Sequence, residues 1–186
     1  FLDEKHDCYV CGGSSFSSWA KEEYLEALFC NDCGMISINP HFTDEGLDEF
    51  YNCYYENRII SRELGEQRKE MYIQDRDWIL NYISGGKVLD IGCSGGDFLG
   101  AFDSDNWDKY GIDLTEDALE SAAGNYNIKT FRGKVWETDV GDDYDLVMMR
   151  GVIEHFRNPI PAMKKAIEIL KSGGLMYVTA TPAGDC

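Results

Sequence analysis

The chain has 186 residues, of which 44% are hydrophobic, enough for one sizeable core and a small additional module. Its 34 acidic and 17 basic residues give a formal net charge of -17, which disfavours nucleic acid as a partner because phosphate groups would be repelled. No apolar stretch approaches the ~20 residues that cross a bilayer, and no signal segment opens the sequence. We therefore expect a cytoplasmic protein without a membrane partner.

Four of the seven cysteines form two Cys-x-x-Cys pairs near the start of the chain, Cys8 with Cys11 and Cys30 with Cys33. This spacing is typical of metal sites, and the intervening residues suffice for two antiparallel strands that bring the pairs together. Four thiolates suit a structural Zn²⁺ with no open position for catalysis. The alternative is a set of buried or redox-active cysteines without metal. We predict a zinc-binding module, similar to a zinc ribbon, over residues 1–42.

Residues 43–84 are predicted to form a helical linker or lid. Thr43 is predicted to cap a first, tyrosine-rich helix. A second helical pattern contains Met71, Trp78, Ile79 and Tyr82 and ends at the glycines that follow Ser84. We place the domain boundary between residues 57 and 67.

From Lys87 onward, short apolar runs alternate with helical patterns, which indicates an α/β fold built on a parallel sheet with flanking helices. The predicted strands are 87–91, 108–112, 128–131, 144–149 and 174–180. The predicted helices are 97–102, 115–124 and 160–171.

A glycine-rich turn follows the first of these strands, in the segment Lys87-Val-Leu-Asp-Ile-Gly-Cys-Ser-Gly-Gly. A dinucleotide fingerprint would need glycine at its first, third and sixth positions, which here are Gly92, Ser94 and Asp97. The sixth position fails, because an aspartate at the start of the helix repels a pyrophosphate. An acidic edge instead favours a cationic cofactor such as S-adenosylmethionine.

This turn resembles the first motif of class I S-adenosylmethionine-dependent methyltransferases. The segment Gly111-Ile-Asp-Leu resembles their second motif, residues 143–159 the fourth, and residues 170–179 the fifth. The resemblance implies a Rossmann-like domain over residues 85–186. The family's remaining strands have no counterpart after Pro182, so we expect the sequence to be part of a longer protein.

The resemblance also implies which residues hold the cofactor. Asp90, Gly92 and Gly96 would surround its methionine part, with Cys93 and Ser94 in the same turn. Asp113 would accept hydrogen bonds from the ribose hydroxyls, and Leu114 would pack on the adenine. Taken singly, Asp90 could be a turn residue and Asp113 a solvated strand end; the surrounding strand, turn and helix favour a site.

Further candidates lie near the same edge. Arg150 is expected to contact the cofactor carboxylate or an anionic substrate, and Tyr55 to close over the methionine end. His155 is a candidate general base and Glu154 its neighbour, although a structural role for His155, such as holding Glu154 or a loop carbonyl, is the competing interpretation.

The cysteine pairs and the acidic helix after them resemble the zinc-binding module of sugar and natural-product C-methyltransferases. The leading hypothesis is therefore a methyltransferase acting on a small molecule, such as a nucleotide-linked sugar or natural-product intermediate. One alternative is an RNA methyltransferase that docks RNA on the zinc module. The other is a non-catalytic protein that binds S-adenosylmethionine.

Overall fold

The computed structural model describes residues 2–3, 5–47, 49–50 and 62–179. Contacts divide this part of the chain into two units. The first contains the described N-terminal residues together with Arg157–Ile160, and the second contains residues 62–156 and 161–179. None of the helices in the described ranges is long and apolar enough to cross a membrane.

The first unit is built on a small antiparallel sheet of β1 (Phe16–Glu22), β2 (Leu25–Cys30) and β3 (Ile36–Ile38), in that order. The antiparallel pairing of β1 with β2 confirms the strands predicted between the cysteine pairs. Residues 44–47 are helical, and the Thr43 hydroxyl accepts a hydrogen bond from the Gly46 amide at 3.2 Å, so the predicted cap is also confirmed.

The second unit contains a parallel sheet of five strands in the order β6-β5-β4-β7-β8. The strands are β4 (Gly86–Ile91), β5 (Trp107–Asp113), β6 (Lys129–Arg132), β7 (Tyr144–Arg150) and β8 (Leu170–Thr179). The helices are α1 (Arg62–Ile79), α2 (Asp97–Gly100), α3 (Glu116–Tyr126) and α4 (Ile160–Ile169).

Alternate residues of the central strands face opposite sides of the sheet, so the unit has two cores. On one side, Val88 and Met148 pack with residues of α1, α2 and α3 such as Ile79 and Phe98. On the other side, Leu89 and Val147 pack with α4 and the segment before β7. Burial on both faces explains the continuous apolar runs in the sequence. Because the strands are parallel, their carboxyl ends lie at the same edge of the sheet.

The predicted strands agree with the observed ones to within one or two residues at most ends, but the last helix and strand do not. The helix predicted to reach residue 171 ends at Ile169, and β8 begins at Leu170 instead of residue 174. Leu170 pairs with Tyr144, and the register then shifts before Leu175 pairs with Leu146. The glycines read as a helix end therefore lie inside an irregular strand.

Helix positions also differ from the pattern in two places. Helix α1 ends at Ile79, and the predicted helix 97–102 is reduced to the four residues of α2. Of the apolar positions assigned to α1, Ile79 is buried, whereas Met71 and Trp78 are exposed. Tyr55, like the rest of the tyrosine-rich segment 51–61, lies outside the described residues.

Candidate functional site

The glycine turn after β4 depends on backbone angles that favour glycine. Gly92 and Gly96 have φ of 76° and 81°, and Ser94 has φ of 49°. A Cβ on Gly92 would lie 2.4 Å from Cγ2 of Val152, and one on Gly96 would lie 2.6 Å from Cδ1 of Ile128. Only glycine fits at these two positions, so the turn passes close to the end of β7 and the start of β6.

Asp113, the last residue of β5, is tied to this turn by two hydrogen bonds. Its Oδ2 accepts from the Ser94 amide at 2.9 Å, and its Oδ1 accepts from the Thr115 amide at 3.0 Å. A carboxylate has about four lone-pair sites, so these two bonds leave room to accept from further donors. Asp113 therefore orients the turn and keeps accepting capacity at the edge of the sheet.

Asp90 lies at the end of β4 with 3% of its surface exposed. Burial and the charge of Asp113 raise the pKa of its carboxyl group and Arg150 opposes them, with a net pKa of about 8. Without a positive charge at this position, the ionised form of Asp90 is thus unfavourable below that pH. A bound cation would favour the carboxylate.

The other two predicted residues of this edge differ in exposure. Cys93 is buried, and a Cβ on Gly111 would lie 2.6 Å from its Sγ, so the thiol fills the gap between the turn and β5. Burial raises the pKa of this thiol, which keeps it neutral. Leu114 is 44% exposed, and its carbonyl accepts a hydrogen bond from Nε of Arg132 at 3.3 Å.

Arg150 lies at the end of β7, and its side chain contacts residues of the second unit. Its Nε donates to Oδ2 of Asp75 on α1 at 2.7 Å. Its guanidinium carbon lies 4.7 Å from the ring centroid of Tyr72 and 5.6 Å from that of Phe98. The side chain is therefore fixed between α1 and the edge of the sheet.

Glu154 and His155 follow β7 in a 3₁₀ turn, Ile153–His155, and both are exposed. The backbone amide of His155 donates to the Val152 carbonyl at 3.0 Å, which closes the turn directly after the residue that packs on Gly92. Both predicted proton-handling residues thus stand on the segment that leaves the carboxyl end of β7.

The N-terminal cysteines form a separate cluster. The Sγ atoms of Cys8, Cys11, Cys30 and Cys33 all lie within 4.8 Å of one another. Cys8 and Cys33 are 3.6 Å apart at sulfur, as are Cys11 and Cys30. Burial raises the pKa of the Cys8 thiol, but hydrogen bonds from the amides of Cys11 and Val10, together with those from the Cys33 and Cys11 thiols, outweigh it and lower the pKa to about 7.

Two residues of the edge were not found from the sequence. Val152 limits the space at Gly92, and Asp75 fixes Arg150. Val152 follows β7 with no polar atom to mark it, and Asp75 is one of several acidic residues on a charged helix. Neither position carries a pattern that separates it from its neighbours in the sequence.

The arrangement fits a cationic cofactor better than a pyrophosphate. Helix α2 has only four residues, and Asp97 in its first turn accepts a hydrogen bond from the Tyr126 hydroxyl at 2.7 Å. The carboxylate of Asp113 would repel a diphosphate, whereas a sulfonium or an ammonium group would be attracted to Asp113 and would favour the ionised form of Asp90.

Residues 55–185 match the sequence model of a family described as a methyltransferase domain. The ubiquinone biosynthesis O-methyltransferase of Glaesserella parasuis is 29% identical over 120 residues, which cover 58% of this chain and 49% of that protein. The chain spans about half the length of the curated relatives it matches.

Solved structures share the fold at lower identity. A TehB-like S-adenosylmethionine-dependent methyltransferase from Corynebacterium glutamicum has a TM-score of 0.55 at 18% identity, with 73% of each chain covered. Phosphoethanolamine N-methyltransferase 1 of Haemonchus contortus, solved with phosphoethanolamine and S-adenosylhomocysteine, has a TM-score of 0.61 at 18% identity, with 74% of this chain and 33% of that chain covered. The predicted Rossmann-like α/β class is confirmed.

Proposed function

The chain belongs to the methyltransferase domain family, and from this membership we propose that it transfers a methyl group from S-adenosylmethionine to a small-molecule acceptor. The observation that carries the proposal is Asp113, which is hydrogen-bonded to the glycine turn through Ser94 and stands beside the buried Asp90. Two carboxyl groups at the carboxyl edge of a parallel sheet suit a ligand that carries hydroxyl groups and positive charge.

Each residue of the edge has a distinct part in the proposed site. Asp113 accepts hydrogen bonds from the ribose hydroxyls, and Leu114 covers the adenine. Asp90 faces the positive end of the methionine part. The turn residues Gly92, Cys93, Ser94 and Gly96 enclose the same part.

When bound, S-adenosylmethionine supplies a sulfonium methyl group, which forms a bond to the acceptor atom as the sulfonium becomes a neutral thioether. The protein's contribution is to align the acceptor with that methyl group and to take up any proton the acceptor releases. We propose His155 for the proton and Glu154 for the orientation of His155 or of the acceptor. Their exposure and their place after β7 support an acceptor that enters from solvent.

The class of acceptor rests on three observations. The curated relative from Glaesserella parasuis acts in ubiquinone biosynthesis by its name, which supports a small organic acceptor, and the resemblance of the cysteine module favours a nucleotide-linked sugar or natural-product intermediate. The formal charge of -17 opposes RNA, the alternative acceptor.

We also propose that the four cysteines hold a structural Zn²⁺. Zinc–thiolate bonds of about 2.3 Å in a regular tetrahedron place the sulfurs about 3.8 Å apart. The two sulfur separations of 3.6 Å are close to that value. With four thiolates bound, the metal would have no open position, so its role would be structural.

The test of the proposed reaction is the formation of S-adenosylhomocysteine. Protein with S-adenosylmethionine is incubated with a set of small hydroxylated acceptors and, separately, with RNA. The proposal predicts product with a small acceptor and none with RNA. Product with RNA alone would replace the small-molecule acceptor, and cofactor binding without any product would support a non-catalytic role.

A further inference from the structure

Strand register places Asp90 between a negative and a positive side chain. Asp90 pairs with Gly111 on β5 and with Met148 on β7. Two residues further along those strands, on the same side of the sheet, are Asp113 and Arg150. A diagonal of this kind spans about 8 Å between Cα atoms, within reach of long side chains. Asp90 is therefore flanked by opposite charges.

The position of Arg150 is set by contacts from α1 and α2. Asp75 on α1 accepts its Nε–H at 2.7 Å, and the rings of Tyr72 on α1 and Phe98 on α2 lie on its guanidinium. Burial and the nearby Asp75 carboxylate raise the pKa of Tyr177 on β8. The Arg150 side chain is only 13% exposed, so its charge is screened little by solvent.

Resting on the proposed function, we propose that Arg150 and Asp75 are positioning residues for the cofactor site. Asp75 orients Arg150, and Arg150 stabilises the carboxylate form of Asp90 so that Asp90 meets the positive end of the cofactor as an anion. Arg150 acts on the cofactor through Asp90 in this arrangement, and α1 takes part in the site through Asp75.

The charges around Asp90 support this role. Burial and Asp113 raise the pKa of Asp90 and Arg150 lowers it, and the net pKa is about 8. The titratable or charged groups on the elements packed around Asp90 include Asp75, Tyr72 and Arg76 of α1, Asp97 of α2, Lys109 and Asp113 of β5, Arg150 of β7, Tyr177 of β8, and Cys93 of the turn. Of the cations, Lys109 donates to the Phe102 carbonyl and Arg76 donates to the Ala101 carbonyl, whereas Arg150 lowers the pKa of Asp90 and so offsets the carboxylates.

A measurable consequence is the pH dependence of cofactor binding. Below about pH 8, a cation that binds the carboxylate of Asp90 must displace its proton, so the affinity rises with pH and levels off above the pKa. Removing Arg150 raises that pKa, and removing the charge of Asp75 lowers it. Asp75→Asn keeps an amide oxygen that can accept from Nε of Arg150, so Arg150 stays in place and the two substitutions should move the binding profile in opposite directions.

The experiment is calorimetric titration with S-adenosylmethionine from about pH 6 to about pH 9, with the full chain as wild type, Arg150→Met and Asp75→Asn. We expect Arg150→Met to shift the midpoint upward by about one pH unit and Asp75→Asn to shift it downward by a smaller amount. Arg150→Lys keeps the charge and should return most of the shift. Asp90→Asn should abolish the pH step while far-ultraviolet circular dichroism verifies folding.

Opposite shifts in the two variants support the positioning role, because they show that the charge of Arg150 favours the carboxylate of Asp90 while an acceptor at position 75 holds Arg150 in place. Equal shifts, or no shift, would overturn it. Loss of binding at every pH in folded Arg150→Met and Arg150→Lys would also overturn it, since Arg150 would then contact the cofactor directly. Absence of binding by folded wild type would instead refute the proposed function, and the positioning role with it.

Discussion

The candidate site of the first unit supplies most of the buried apolar side chains among that unit's described residues, whereas the candidate site of the second unit lies at the edge of a sheet that is buried independently of it. In the first unit, the buried apolar side chains among the described residues are Cys8, Leu28 and Cys30, and two of these three are ligand candidates. Strand β1 is exposed at all but its first position. In the second unit, two cores enclose β4 and β7, and the candidate site occupies the edge of that sheet.

Each candidate site is therefore held in place by a different kind of interaction. The cysteine cluster is the centre of its unit, because little else there is removed from water, so metal binding and folding should be one event. The glycine turn, in contrast, is positioned by a sheet whose burial does not depend on a ligand. Ligand removal should therefore unfold the first unit and leave the second folded.

The largest expected effect is that of metal removal. Structural zinc contributes on the order of 10 kcal/mol in small zinc domains, so Cys30→Ser or a chelator should expose the amides of β1, β2 and β3 to hydrogen exchange while β4 and β7 stay protected. Hydrogen-exchange mass spectrometry with metal analysis measures this. Cys93→Ser, outside the cluster, is the matched control and should retain one zinc per chain. Unchanged exchange after complete metal removal would contradict the comparison.

Gly92→Ala tests the turn. The new Cβ would meet Val152 at 2.4 Å in a backbone with φ of 76°, so we expect a loss of about 3 kcal/mol in the free energy of unfolding together with weaker cofactor binding.

Gly124→Ala on α3 is the matched control, since a Cβ there meets nothing within 4 Å. In urea denaturation it should stabilise the protein by about 1 kcal/mol, the helix propensity difference. Equal effects of the two substitutions would show that the turn tolerates side chains.

The buried carboxyl group of Asp90 predicts how stability varies with pH. Its pKa is raised from 3.8 to about 8, so the folded state holds a proton that the unfolded state has released between these values. This contribution is complete below the lower value and is lost as pH rises toward the higher one, by about 1.4 kcal/mol for each pH unit.

Urea denaturation of wild type and Asp90→Asn at several pH values isolates this term, because other titrating groups are common to both. Relative to that of wild type, the unfolding free energy of Asp90→Asn should increase by about 1.4 kcal/mol for each pH unit between about pH 5 and pH 7. A constant difference would mean that Asp90 ionises normally in the folded protein.

The smallest expected effect concerns the first unit's ion pairs. Arg157 pairs with Asp3 and, at 3.9 Å, with Asp44, and its side chain is one-third exposed. Arg157→Gln should therefore destabilise the first unit by less than about 1 kcal/mol. Hydrogen exchange of β1 to β3 measures the change, and Lys129→Gln, which removes an exposed pair with Asp108, is the control for the second unit.

Features set by local interactions could be predicted from the sequence, whereas features set by contacts between distant residues could not. Strands β4 and β7 are buried on both faces, so they could be recognised in the sequence by their continuous apolar runs. The turn could be recognised by its glycines, which are required because a Cβ would clash there. The end of α4 was missed because the pairing of Leu170 with Tyr144 decides it. The contact of Arg150 with Asp75 joins positions 75 apart, and no local pattern reports it.

The central claim is that the acidic edge of the parallel sheet binds S-adenosylmethionine through Asp113. Calorimetric titration of wild type and Asp113→Ala, with circular dichroism to verify folding, tests it most directly. The account predicts binding of one cofactor per wild-type chain and at least about a tenfold lower affinity in the variant, since hydrogen bonds to a charged group are lost. No binding by folded wild type, or equal affinity in the variant, would contradict it.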